Sequence, residues 1–76
     1  MADLSNEDKL GIISSHQRNV EYNQYNIQMS MLEEKAKAAP DQTIIDNLQA
    51  QLNDCAAQIS VLEAQAAALT PAAPTN

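Results

Sequence analysis

Residues 45–69 carry apolar side chains that lie alternately three and four positions apart, without a break. The series consists of Ile45, Leu48, Leu52, Cys55, Ile59, Leu62, Ala66 and Leu69. This spacing places the side chains on one narrow stripe of an α-helix, as in the a and d positions of a heptad repeat. A helix with such a stripe needs a partner helix that covers it, so the stripe predicts helix–helix packing.

A second series with the same spacing precedes the first and is less apolar. It consists of Leu10, Ile13, Gln17, Val20, Gln24, Ile27, Met31 and Glu34. If the chain reverses near Pro40, Leu10 comes to lie opposite Leu69, and every member of one series faces a member of the other. Helical hairpins with short loops pair in this way. The sequence therefore predicts an all-α fold, an antiparallel and coiled-coil-like two-helix hairpin, whose two facing series we call the seam.

The capping residues predict where the two helices begin and end. Ser5 is a typical N-cap residue, and Lys35 and Lys37 suit the carbonyl end of a helix. Pro40 disfavours helical geometry at Ala39 and is well placed as the first residue of a returning helix. The predicted division is a lead-in at residues 1–4, a first helix at 5–38, a turn at 39–41, a second helix at 41–69 and an extended Pro/Ala tail at 70–76.

A hairpin of this size has little material for a hydrophobic core. Chains of 76 residues bury only about 60 % of their unfolded surface, and this chain has no Trp, no Phe and a single Cys. Small domains with thin cores usually depend on disulfides, metals or association for their stability. Oligomerisation or docking on a larger assembly is the remedy that remains, so we expect a protein partner, either the chain itself or a larger structural protein.

The charge distribution argues against nucleic acids and membranes as partners. The formal net charge is −6, and the second half has no Lys or Arg after Pro40. Such a surface offers no cations to phosphate groups or anionic lipids. No apolar run approaches the roughly 20 residues that span a bilayer, and residues 1–15 lack the pattern of a signal peptide. We expect the cytoplasm of the producing cell as the location, where one unpaired Cys is common.

The residues that could carry chemistry are few and scattered. His16 has no second His or Cys within helical reach, and Cys55 occupies a seam position that opposes formation of a thiolate. Glu33 and Glu34 point in different directions and are expected to form a solvated face. We therefore predict no enzyme activity, no metal site and no cofactor. Gln17 and Gln24 in the seam either specify its register or tilt towards water.

The faces opposite the seam are more informative about function. In the first helix, heptad positions b and f carry an outer stripe that nothing within a hairpin can cover, and we expect it to be the partner interface: Tyr22, Tyr25, Met29, Leu32 and Ala36. The outer f positions of the second helix carry Ala50, Ala57 and Ala64, which either allow close helix approach or simply favour helix formation.

Residues 4–13, 22–27 and 32–34 resemble parts of short, poorly characterised proteins of tailed bacteriophages. This resemblance implies a multi-copy structural or accessory component of the virion, in the capsid or the tail, and it transfers no functional residue. The alternative function is a small binding module, such as an export chaperone or an inhibitor that covers a hydrophobic groove of one partner. Short hairpins with a Pro-Asp turn also look like secretion-needle subunits, although the diagnostic loop of that family is absent here.

Overall fold

The computed structural model describes residues 3–70, which form two α-helices packed against each other. Helix α1 extends over Asn6–Lys35 and helix α2 over Gln42–Leu69. The described part of the chain contains no β-strand. The expected all-α helical hairpin is confirmed, and its smallest dimension of 14 Å corresponds to a single layer of helices.

Helix α1 begins at the capping residue that the sequence indicates. Ser5 has an extended backbone, and its Oγ accepts a hydrogen bond of 3.0 Å from the backbone N–H of Asp8. Glu7 and Asp8 lie in the first turn, where negative charge interacts favourably with the helix dipole. The backbone N–H of Lys9 donates to the Ser5 carbonyl at 3.0 Å and starts the helical pattern.

Helix α1 ends earlier than the sequence predicts, at Lys35 rather than at residue 38. The reason is a tightened last turn, in which the backbone N–H of Lys37 donates to the Glu34 carbonyl three residues before it, at 3.2 Å. The Glu34 carboxylate then accepts a hydrogen bond of 3.0 Å from the backbone N–H of Asp41. This contact holds the reversal, so the connection covers residues 36–41.

The first helical residue of α2 is Gln42 and not Pro40, which corrects the expected role of the proline. Asp41 is the N-cap, and its Oδ1 accepts hydrogen bonds from the backbone N–H groups of Thr43 at 2.9 Å and Ile44 at 3.4 Å. Pro40 therefore immediately precedes the N-cap and lies outside the helix. Helix α2 ends at Leu69, and the C-cap Thr70 donates to the Ala66 carbonyl through both its N–H and its Oγ1.

The core lies entirely along the seam. Each of the sixteen seam positions is buried or half-buried, and the most buried side chain is Cys55, with 3 % of its surface exposed. Ile13, Ile27 and Met31 are the other buried apolar residues. Two hydrogen bonds cross between the helices, from Asn6 Nδ2 to the Leu69 carbonyl at 3.3 Å and from Asn23 Nδ2 to Cys55 Sγ at 3.8 Å. The helices are therefore in contact from the open end of the hairpin to its turn.

Candidate functional site

The outer face of α1 presents large apolar side chains to solvent. Tyr22 is 63 % exposed, Tyr25 is 61 % exposed and Leu32 is 58 % exposed. Ala36 is also exposed and forms the C-cap of the helix. The structure thus places these four residues of the outer stripe on the surface, along about four turns' length of α1.

Met29 differs from the rest of the outer stripe because it is half-buried. The expectation that nothing within the chain covers the stripe is therefore wrong for this residue. Residues three and four positions apart are neighbours on a helix surface, so Tyr25 and Leu32 stand on either side of Met29. The half-buried methionine therefore lies between the two exposed side chains and keeps the stripe continuous along the helix.

A shallow hollow of about 300 Å³ lies at one end of the outer stripe, lined by Arg18, Glu21, Tyr22 and Tyr25. The guanidinium carbon of Arg18 lies 5.7 Å from the centre of the Tyr22 ring, a cation–π contact. These residues occupy positions i, i+3, i+4 and i+7 of one helix. Sequence reasoning missed Arg18 and Glu21 as part of this surface, although Arg18 occupies the same b position as Tyr25 and Leu32, and Glu21 lies beside them at position e.

A second concavity, which we call the lateral groove, lies between the helices and has a volume of about 420 Å³. It is lined mainly by apolar surface of Val20, Ala57, Val61 and Leu62, with His16 and Gln58 completing it. Val61 is 68 % exposed at its edge. Sequence reasoning did not find this groove, because its lining combines residues of both helices and Val61 belongs to neither apolar series.

The turn contains a buried carboxylate that the sequence suggested would be solvated. Glu34 is 6 % exposed, whereas its neighbour Glu33 is exposed. Lys37 Nζ lies 2.8 Å from Glu34 Oε1, and this hydrogen-bonded ion pair lowers the pKa of Glu34, with the Asp41 N–H bond as the second cause. The same contact raises the pKa of Lys37. The expectation of a solvated face therefore holds for Glu33 and is wrong for Glu34.

The remaining candidate residues for chemistry stand apart from one another. Cys55 is buried against Asn23, and His16 is exposed at the lateral groove. Within residues 3–70, no three His, Cys, Asp or Glu side chains converge in a way that could hold a metal ion. The outer alanines Ala50, Ala57 and Ala64 are exposed on α2. The surfaces available to a partner are thus the outer stripe of α1, the lateral groove and the alanine face of α2.

Comparison of the chain with protein-family models, with curated proteins and with solved structures yields no match. Neither of the two helices, over the described residues, has a segment long and apolar enough to cross a membrane.

Proposed function

We propose that this chain is a non-catalytic assembly protein that docks on another protein surface through the outer stripe of α1. The observation that carries the proposal is the row formed by Tyr22, Tyr25 and Leu32, each more than half exposed on one face of one helix. Isolated apolar side chains are common on protein surfaces, but a contiguous aromatic and aliphatic row is typical of an interface. Tyrosine is also among the residues that contribute most to binding energy.

The thin core supports the same proposal. Only four apolar residues in the described chain are buried, and the remaining apolar seam residues are half-buried. A domain with so little enclosed apolar surface gains stability when association buries more of it. Fully burying each large apolar side chain contributes about 1.5–3 kcal/mol, so the outer stripe could supply several kcal/mol to a complex.

The resemblance of residues 4–13, 22–27 and 32–34 to tailed-phage proteins leads us to place this assembly role in a virion. In that setting the hairpin is a multi-copy component of the capsid or the tail, and its outer stripe contacts a neighbouring structural protein. The export chaperone or inhibitor remains the contrasting function. It differs in stoichiometry, since it would form a small complex with one partner.

The test is to express tagged chain in its native host, purify it with its bound proteins and measure the mass of the complex. We expect the Tyr25→Ser/Leu32→Ser variant to lose its partners and the Val61→Ser variant to keep them, because Val61 is exposed on α2 and outside the stripe. Retention of partners by the double variant would refute docking through the outer stripe. A complex with a single copy of one partner would instead favour the chaperone or inhibitor.

A further inference from the structure

We propose that the partner of the outer stripe is a second copy of this chain, which packs its own α1 antiparallel against the first across a two-fold axis. This inference rests on the proposed function and names the partner of the same surface. It is carried by three properties of the outer face of α1: the spacing of its apolar residues, the shape of the hollow beside Tyr22, and the placement of two opposite charges.

The spacing of the outer stripe makes it complementary to itself. Its members are three and four positions apart, so two antiparallel copies can be aligned with four of the five members, Tyr22, Tyr25, Met29 and Leu32, opposite one another. With the two-fold axis crossing the outer face between Tyr25 and Met29, Tyr22 lies opposite Leu32 of the second copy and Tyr25 lies opposite Met29 of the second copy. Each contact occurs twice. This is the property of an isologous interface, in which one patch on both copies serves both sides.

The four residues that line the hollow on the outer face have the spacing of a hole in knobs-into-holes packing. A side chain that packs as a knob inserts between four residues of the facing helix, at positions i, i+3, i+4 and i+7. The hollow of about 300 Å³ is lined by Arg18, Glu21, Tyr22 and Tyr25, which are four such positions. In the two-fold arrangement, Leu32 of the second copy lies over this hollow. Each copy thus supplies one exposed leucine knob and one hole.

The charges beside the stripe fit the same arrangement. Glu21 and Lys35 occupy the heptad position that flanks the contact on one side, and the two-fold places Glu21 of each copy next to Lys35 of the other. Both side chains are exposed, and the ion pair within the described residues is that of Lys37 with Glu34. On that same side of the contact, midway between Glu21 and Lys35, Gln28 faces its own equivalent, so no charge there is brought against a like charge.

The outer face of α2 lacks this complementarity. The charged residues of helix α2 are Asp46, Asp54 and Glu63, and the helix carries no Lys or Arg. A contact of α2 with the α2 of a second copy could form no ion pair, because every charge on it is negative. The α1 face is therefore the better self-contact. Since it involves one helix from each copy, we expect a dissociation constant in the micromolar range.

Sedimentation equilibrium on the full chain, from low micromolar to near-millimolar concentration, measures the proposed dimer. We expect Leu32→Ser to weaken it by about a hundredfold, because each dimer loses two knobs. Glu21→Lys and Lys35→Glu should each weaken it by about tenfold, and the double variant Glu21→Lys/Lys35→Glu should restore it. Circular dichroism at the highest concentration establishes that each variant is helical. Failure of the double variant to restore association would overturn the proposed arrangement.

A cross-link beside the axis provides a second measurement. In a Cys55→Ala background, Gln28→Cys should give a covalent dimer with a short bismaleimide, whereas Gln51→Cys, an exposed position on α2, should not. Equal cross-linking of both variants would overturn the inference. A helical chain that stays monomeric at every concentration would also overturn it. If the wild-type chain stayed monomeric but the Tyr25→Ser/Leu32→Ser variant lost its native partners, docking through the outer stripe would stand. Only the proposal that the partner is a second copy of this chain would then be excluded.

Discussion

The Glu34 carboxylate connects the end of α1 to the start of α2, because its Oε2 accepts a hydrogen bond of 3.0 Å from the backbone N–H of Asp41. Its other oxygen lies 2.8 Å from Lys37 Nζ. One side chain thus bonds to a residue on each side of Pro40. We infer that this carboxylate, rather than the proline alone, determines where the chain reverses.

Acid should weaken the hairpin through Glu34. Its pKa is lowered in the folded chain, first by the Lys37 hydrogen bond, so its contribution to stability is complete above the pKa of an unfolded Glu, about 4.3, and is lost as the pH falls through the lowered value. We expect wild type to be more stable than Glu34→Gln at neutral pH and the difference to vanish in acid. Thermal melting followed by circular dichroism across pH measures this.

Glu33→Gln is the matched control for this experiment, because Glu33 is the exposed neighbour on the same turn.

At alkaline pH the stability contributed by the pair depends on pH with the opposite sign. The raised pKa of Lys37 means that its contribution is complete below the pKa of an unfolded Lys and is lost as the pH rises through the raised value. A pH-independent difference between wild type and Glu34→Gln would show that the ion pair does not contribute to stability.

The hairpin itself could be predicted from the sequence, because the burial of residues such as Ile27 and Cys55 follows directly from heptad spacing. The details of the turn could not. Spacing alone assigns Glu34 to the seam and does not show which donors meet its carboxylate, since the backbone N–H of Asp41 reaches it only after the chain has reversed. The helix end at Lys35 likewise depends on a local bond that spacing does not show, from the Lys37 N–H to the Glu34 carbonyl.

The candidate surface could be predicted in part. Tyr22, Tyr25 and Leu32 are exposed because positions b and f face away from the seam. The half-burial of Met29 could not be anticipated, since it depends on the conformations of neighbouring side chains. The lateral groove beside Val61 could not be predicted either, because a concavity between two helices depends on their separation as well as on their sequences.

Asp41 should stabilise α2 as its N-cap. Its Oδ1 accepts hydrogen bonds from Thr43 and Ile44, which Asp41→Ala removes while keeping the backbone N–H that bonds Glu34. We expect a loss of about 1 kcal/mol in the free energy of unfolding, the usual effect of losing such a cap. Urea denaturation of this variant beside Asp54→Ala, an exposed acidic residue within α2, separates the cap from the change in net charge. An equal loss in both variants would contradict the capping role.

The register of the hairpin can be measured by cross-linking. Val20 and Ile59 occupy facing seam positions in the predicted register, and both are half-buried in the structure. Cysteines at these two positions, in a Cys55→Ala background, should form an intrachain cross-link at high dilution. The comparison pairs combine Val20→Cys with Leu52→Cys or Ala66→Cys. If either comparison pair reacts faster than the facing pair, the register is shifted by one heptad.

Two isoleucines of α1 test whether the seam provides the stability. Ile27 is 7 % exposed within the seam, whereas Ile12 is 47 % exposed beside it. Ile27→Ala should lower the free energy of unfolding by about 2 kcal/mol or more, and Ile12→Ala should change it by about 0.5 kcal/mol or less. Both changes alter helix propensity equally, so denaturant melts report the difference in burial. Similar losses at the two sites would mean that Ile12 is also covered.

Two leucines should separate folding from association. Leu52 is half-buried in the seam and Leu32 is 58 % exposed on the outer stripe, so the same change to Ser removes burial from different contacts. Leu52→Ser should lower the helicity of the chain and reduce association only as a consequence. Leu32→Ser should keep the helicity at high concentration and lose association directly. Circular dichroism and sedimentation on the same samples measure both properties. If Leu32→Ser unfolds the chain as severely as Leu52→Ser does, the outer stripe is needed for folding, and hairpin formation is inseparable from assembly.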